Sequence, residues 1–192
     1  MRFSLLSREV LPFLLALAAL AAAAVLIDAL LHFLGAVWIG RYLGIPGVLL
    51  IIGSFGYSLR KHKLIVGGTP AGLLRLHEHM AWAGSLLVLV HAGIHFNAIL
   101  AWLAVAAMLL NVGSGLTGKF LLKRAWRRLG ETSAELKRQG LSGPALEERM
   151  HWDTLTFNAV KQWRVIHFPI ALAFAVLAAM HIIAVFVFWG WR

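Results

Sequence analysis

Apolar positions along the chain gather into five blocks: Val10 to Ile39, Leu43 to Ser58, Leu73 to Phe96, Ala98 to about Leu122, and Val165 to Trp191. Four of them reach about 20 residues or more, the length that spans the hydrocarbon core of a bilayer. The second is shorter and rich in glycine, with Pro46 near its start. Lipid offers no partner to a backbone amide, so each block is expected to be helical. The first block also admits a cleaved leader, since Arg2 and Arg8 precede an Ala-rich run. That run continues through "VLIDALLHFLGAVWI", well beyond the roughly 7–15 apolar residues of a signal core. A retained helix is the expectation.

Polar residues cluster between the blocks, and their sign sets an orientation. With the N-terminus inside, Arg2, Arg8, Arg60, Lys61, Lys63, Arg75 and the ten basic residues from Lys119 to Arg164 are internal, and only Arg41 and Arg192 are external. Sixteen against two is a strong positive-inside bias. The fold expected is an all-α integral membrane protein with five transmembrane helices, N-terminus in and C-terminus out. The 192 residues then form a single transmembrane domain: a four-helix bundle plus one extra helix. The link over residues 123–164 is its one sizeable aqueous part. A short helix is expected there around Ser133 to Gln139, and a second after Ser142 or Pro144. The link reads either as a solvated strap on anionic headgroups or as a docking surface for an acidic partner.

Composition narrows the chemistry. The chain is 60% hydrophobic and 14% charged, with a mean hydropathy of +0.80; a soluble domain carries about a quarter charged residues. The net charge of +10 reads as membrane orientation and gives no ground for a nucleic-acid partner. There is no cysteine, which removes disulfides, thiolate metal sites, iron–sulfur ligation and covalent haem attachment. Redox chemistry would have to rest on histidine or a non-covalent cofactor.

Histidine is where the polar pattern intrudes on the apolar one. The third block carries His77 and His91, the fifth His167 and His181, and each pair is separated by 14 residues. Fourteen residues are ~21 Å along a helix and return to within ~40° of the starting face. One crossing lies between the two blocks, so their helices run the same way. The equal spacing sets His77 level with His167 and His91 level with His181. Two facing imidazoles at one depth suit a six-coordinate haem iron, and the macrocycle suits an apolar bundle interior. Zinc would want further ligands. Two such sites at two depths would carry electrons across the membrane.

Neighbouring residues refine this expectation. Gly84 lies midway between His77 and His91, where a bare backbone admits either a macrocycle or a neighbouring helix. Phe174, midway on the fifth block, would fill the space between two haem planes. Gly113, Gly115 and Gly118 in "NVGSGLTG" suit close helix contact or haem clearance. His95 is an alternative to His91 as the outer ligand, being 18 residues or five turns after His77. His79 points away from His77 and reads as an interface residue; His62 and His151 fall in polar links. Asp28 and His32 are four apart on the first block and share a face. With Glu78, beside His77, they are candidates for a quinone or proton site; ordinary helix contact is the competing reading of Asp28.

The two H-x13-H helices, Gly84, "SGLTGKFLL" and "WRVIHFPIALAF" together resemble the membrane-bound di-haem b-type cytochromes. That group includes ferric-reductase-like membrane domains and cytochrome b subunits of respiratory oxidoreductases. The resemblance covers roughly residues 70–190. It implies a helical bundle holding two haem b groups, with His77, His91, His167 and His181 at the ligand positions. It also implies electron transfer between a quinone pool or soluble donor and a partner redox protein. The oxidase and ferric reductase relatives carry a flavin and nicotinamide domain after the membrane part, whereas this chain stops at Arg192. The redox partner is therefore expected to be a separate subunit, docking on the link 123–164, with the protein in a prokaryotic cytoplasmic membrane. The alternatives are a ferric or other metal reductase using the same wiring, a haem-free transporter with membrane histidines, and a structural anchor for a partner complex.

Overall fold

The computed structural model describes residues 11–61, 63–64, 66–94 and 99–188, and they form helices joined by short turns, with no strand among them. Among the described residues four stretches are long and apolar enough to cross a membrane: Leu11–Phe33, Val37–Arg60, Ile99–Arg138 and Val165–Phe188. The third block forms α5 (Pro70–Ile94), 25 residues long. It matches the others in length, but Arg75, His77, Glu78 and His79 crowd its first turns.

The first block does not run unbroken to Ile39. Helix α1 (Leu11–Phe33) ends where Gly35 adopts φ +64°. The Gly35 amide donates to the His32 carbonyl at 3.1 Å and the Ala36 amide to Leu31 at 2.8 Å. This is a Schellman cap, and glycine supplies its left-handed residue without a Cβ penalty. Residues 37–39 therefore belong to the second span. That span is built of three pieces, α2 (Val37–Tyr42), α3 (Gly44–Ser54) and α4 (Gly56–Lys61).

The link differs most from expectation. The fourth block continues from α6 (Ile99–Leu116) through a π-helical turn at Thr117–Leu122 into α7 (Lys123–Arg138). After a turn at Gly140 and Gly143, both at positive φ, α8 runs from Pro144 to Phe188 without a break. The expected short helices are thus parts of two long ones. Charge along 123–164 masked an amphipathic pattern. Leu129 and Leu136 are half-buried while Arg127, Glu131 and Glu135 are exposed, and the rings of Trp126 and Phe157 pack with centroids 5.4 Å apart. Residues 123–164 form a helical hairpin. Pro169 sits inside α8, where its missing N–H leaves the Val165 carbonyl without its helical donor.

The chain divides into two compact units, Met1–Leu17 with Gly113–Leu172, and Ala18–Val112 with Ala173–Arg192. The first holds the hairpin. The second holds an apolar layer in which Ala104, Met108 and Phe174 are buried against Ile51, Val88, Leu89, Leu177 and Ala178.

Candidate functional site

In the second unit α5 packs antiparallel on the second span, and the contact is made by small residues. Gly40, Gly47 and Ser54 recur every seven residues, and all three are buried. They meet, in reverse order, His91, Gly84 and His77, which also recur every seven. At the middle step a Cβ on Gly84 would lie 2.7 Å from Ile51 Cγ1 and 2.8 Å from the Gly47 carbonyl oxygen. Of the two readings of Gly84, then, the space is occupied by a helix. No macrocycle is needed to account for the glycine.

The outer steps hold the histidines. His77 Nδ1 donates to the Ser54 carbonyl at 2.9 Å, and its ring lies 6.0 Å from that of Tyr57. His91 Nδ1 donates to the Gly40 carbonyl at 3.2 Å. The His91 ring lies over Gly44, where a Cβ would fall 2.9–3.1 Å from three ring atoms. A carbonyl only accepts, so each neutral ring carries its proton on Nδ1 and its lone pair on Nε2. This is the arrangement of a metal-ligating histidine: one ring nitrogen is fixed by an oxygen acceptor and the other is the ligand.

Two other histidines fix Nδ1 on their own helix rather than on a neighbouring one. His79 is exposed and bonds the Arg75 carbonyl of its own helix at 2.7 Å. His32 bonds the Asp28 carbonyl, again one turn back, at 2.9 Å. His151 is exposed, its ring 5.7 Å from that of Trp152. His95 and His62 lie outside the described residues, as do Val10 and residues 189–191 of the fifth block.

On α8, half-buried His181 falls within electrostatic reach of the His91 imidazole. In the first unit His167 bonds through Nδ1 to the hydroxyl of Ser114. Ser114 is 1% exposed. Gly115 is beside the same ring, with a Cβ position 3.7 Å from His167 Cε1, while a Cβ on Gly113 or Gly118 would meet nothing within 4 Å. Only Gly115 of the three is thus set against a neighbour. Phe174, on α8 between the two histidines, belongs to the buried layer that joins α3, α5, α6 and α8.

The acidic candidates separate. Asp28 on α1 turns its carboxylate toward α5, with Oδ1 3.3 Å from where a Cβ on Gly93 would be. That oxygen is buried with no hydrogen-bond partner among the described residues. The other, Oδ2, is 3.7 Å from His32 Nδ1. Glu78 is half-buried near the opposite end of α5.

Among the described residues no three His, Cys, Asp or Glu side chains converge, whereas a porphyrin brings four nitrogens of its own and asks only two axial ligands of the protein. Gly40, Gly44, Ser54 and Ser114 are the residues that sequence reasoning passed over. The seven-residue rhythm of Gly40, Gly47 and Ser54, matching that of His77, Gly84 and His91, was the signal that could have found the first and third. No family model, curated protein or solved structure matches the chain.

Proposed function

We propose that the chain is a b-type cytochrome of a prokaryotic cytoplasmic membrane, crossing it five times with the N-terminus inside. By their equal spacing along the sequence, His77, His91, His167 and His181 would be the ligands of two haem b groups. The observation that carries this reading is the pair of cross-helix bonds from His77 to Ser54 and from His91 to Gly40. Histidines that merely fill a membrane helix can satisfy Nδ1 on their own backbone, as His79 and His32 do. Holding two rings from a neighbouring helix, 14 residues apart, costs two matched small-residue positions and fixes Nε2 as the donor nitrogen on each.

Haem would supply a one-electron carrier at each of two depths. Two histidines for each haem would leave no open position on the iron for oxygen or substrate. The protein also fixes the rings, so that little rearrangement accompanies a change of redox state. The apolar layer around Phe174 and Met108 keeps water from the middle of the bundle. Substrate chemistry then falls to a quinol beside the outer pair. There the Asp28 carboxylate, with His32 one turn away, can accept a proton released on oxidation. A separate redox subunit completes the path, and the hairpin at 123–164 is its proposed seat.

The test is the visible spectrum and haem content of purified protein. A sharp reduced α-band and two haems per chain are expected, and His181→Ala should retain one. A colourless preparation would favour the haem-free transporter reading instead. Two haems retained in His181→Ala would overturn the ligand assignment.

A further inference from the structure

Ser114 sits near the end of α6 in "SGLTG", almost wholly buried. Here Oγ meets Nδ1 of His167, on another helix. The turn around it is shaped locally. Thr117 Oγ1 donates to the Gly113 carbonyl at 2.9 Å, and the backbone then widens into the π-helical turn Thr117–Leu122. Such turns are rare and concentrate at functional sites. Gly115 leaves room beside the His167 ring at Cε1.

The three anchored rings therefore meet two kinds of partner. His77 and His91 rest on backbone carbonyls, which side-chain change cannot remove. His167 meets a hydroxyl, which can donate as well as accept and is genetically removable; with Nε2 kept for a ligand it would accept from Nδ1, more weakly than a carbonyl does. The acceptor on the distal nitrogen tunes how strongly a ligating imidazole donates to its metal.

We infer that Ser114 is a positioning residue that orients His167 and sets the donor strength of its Nε2. It would thereby distinguish the haem held by His167 from the haem held by His91. The inference rests on the haem reading above. With Nδ1 deprived of its acceptor, the ring donates less to iron, the ferric state is less stabilised, and the midpoint potential of that haem rises.

The experiment is a spectroscopic redox titration of the purified wild-type protein, Ser114→Ala, Ser114→Cys and Ser114→Thr, with haem content measured on each. The expected result is two haems per chain in all four, with the midpoint of one haem raised in Ser114→Ala. The shift should be smaller in the same direction in Ser114→Cys, and Ser114→Thr should restore the wild-type value. The low-spin electron paramagnetic signal of the same haem should change with the potential. Two haems with both midpoints unmoved in Ser114→Ala would overturn the role of Ser114 and leave the haem reading standing. A wild-type protein without haem would remove the reading on which this inference depends. Should Ser114→Ala not fold, the Cys and Thr variants carry the same comparison: equal midpoints in the two would overturn it.

Discussion

The Nδ1 proton of His91 is taken by the carbonyl of Gly40, 3.2 Å away and 51 positions earlier in the chain. The ring reaches that carbonyl because Gly44 leaves its face uncovered. A Cβ there would press on three ring atoms at 2.9–3.1 Å, closer than a rigid imidazole can accept without moving. Gly44→Ala should displace the ring while leaving the helices intact. The expected outcome is a protein of near-normal stability that has lost, or holds weakly, the haem assigned to His91. Haem content per chain checks it, and an unchanged value would detach Gly44 from the site.

The middle step of the same contact is a matter of stability. Gly84→Ala puts a methyl 2.8 Å from the Gly47 carbonyl oxygen and 3.2 Å from the Ile51 amide nitrogen, both backbone atoms that cannot turn aside. Overpacking of this kind costs about 1–3 kcal/mol. Thermal unfolding in detergent should fall accordingly. Trimming Ile51 to Ala in the same chain should relieve only part of the loss, because it removes Cγ1 from the clash and leaves the backbone atoms.

Apolar runs announced helices to the eye because lipid-length hydrophobicity leaves a backbone few options. The paired histidines announced themselves because an ionisable ring inside such a run calls for a reason. What stayed hidden depends on a partner surface. Gly84 looks the same beside a macrocycle as beside Gly47, and only the register of α5 on the second span decides between them. Gly35 is the one glycine of the first block, and an apolar run continues on both sides of it, so that only its positive φ marks it as the cap that ends α1. The hairpin at 123–164 was obscured because its charge dominates any reading of composition, although Leu129, Leu136 and Phe157 provide the inner face.

That hairpin yields a third prediction. Trp126 and Phe157 join α7 to α8 at a centroid distance of 5.4 Å, and pairs of this kind contribute about 0.5–1.5 kcal/mol beyond the area they bury. Trp126→Ala should let the two arms separate locally. Limited proteolysis near Gly140 and Gly143 should quicken several-fold, with haem content unchanged. If the hairpin seats the redox partner, electron transfer to that partner should weaken in the same variant while reduction by dithionite stays normal.

Asp28 supplies the last prediction, and it separates packing from chemistry. Its Oδ1 is buried facing Gly93 without a hydrogen-bond partner among the described residues. An unsatisfied buried oxygen costs about 1–3 kcal/mol, so a residue serving only as helix contact would be better replaced by an apolar one of similar size. Asp28→Leu should leave stability equal or raised on either reading. Function divides them. If the carboxylate accepts the quinol proton, Asp28→Leu and Asp28→Asn both slow haem reduction by a quinol analogue, by at least the ~100-fold typical of losing a positioned base. Dithionite, which needs no proton acceptor at this place, should reduce both variants at the wild-type rate. Unchanged quinol rates in a stable Asp28→Leu protein would assign the residue to helix contact alone and move the quinol site elsewhere, with Glu78 at the other end of α5 next in line.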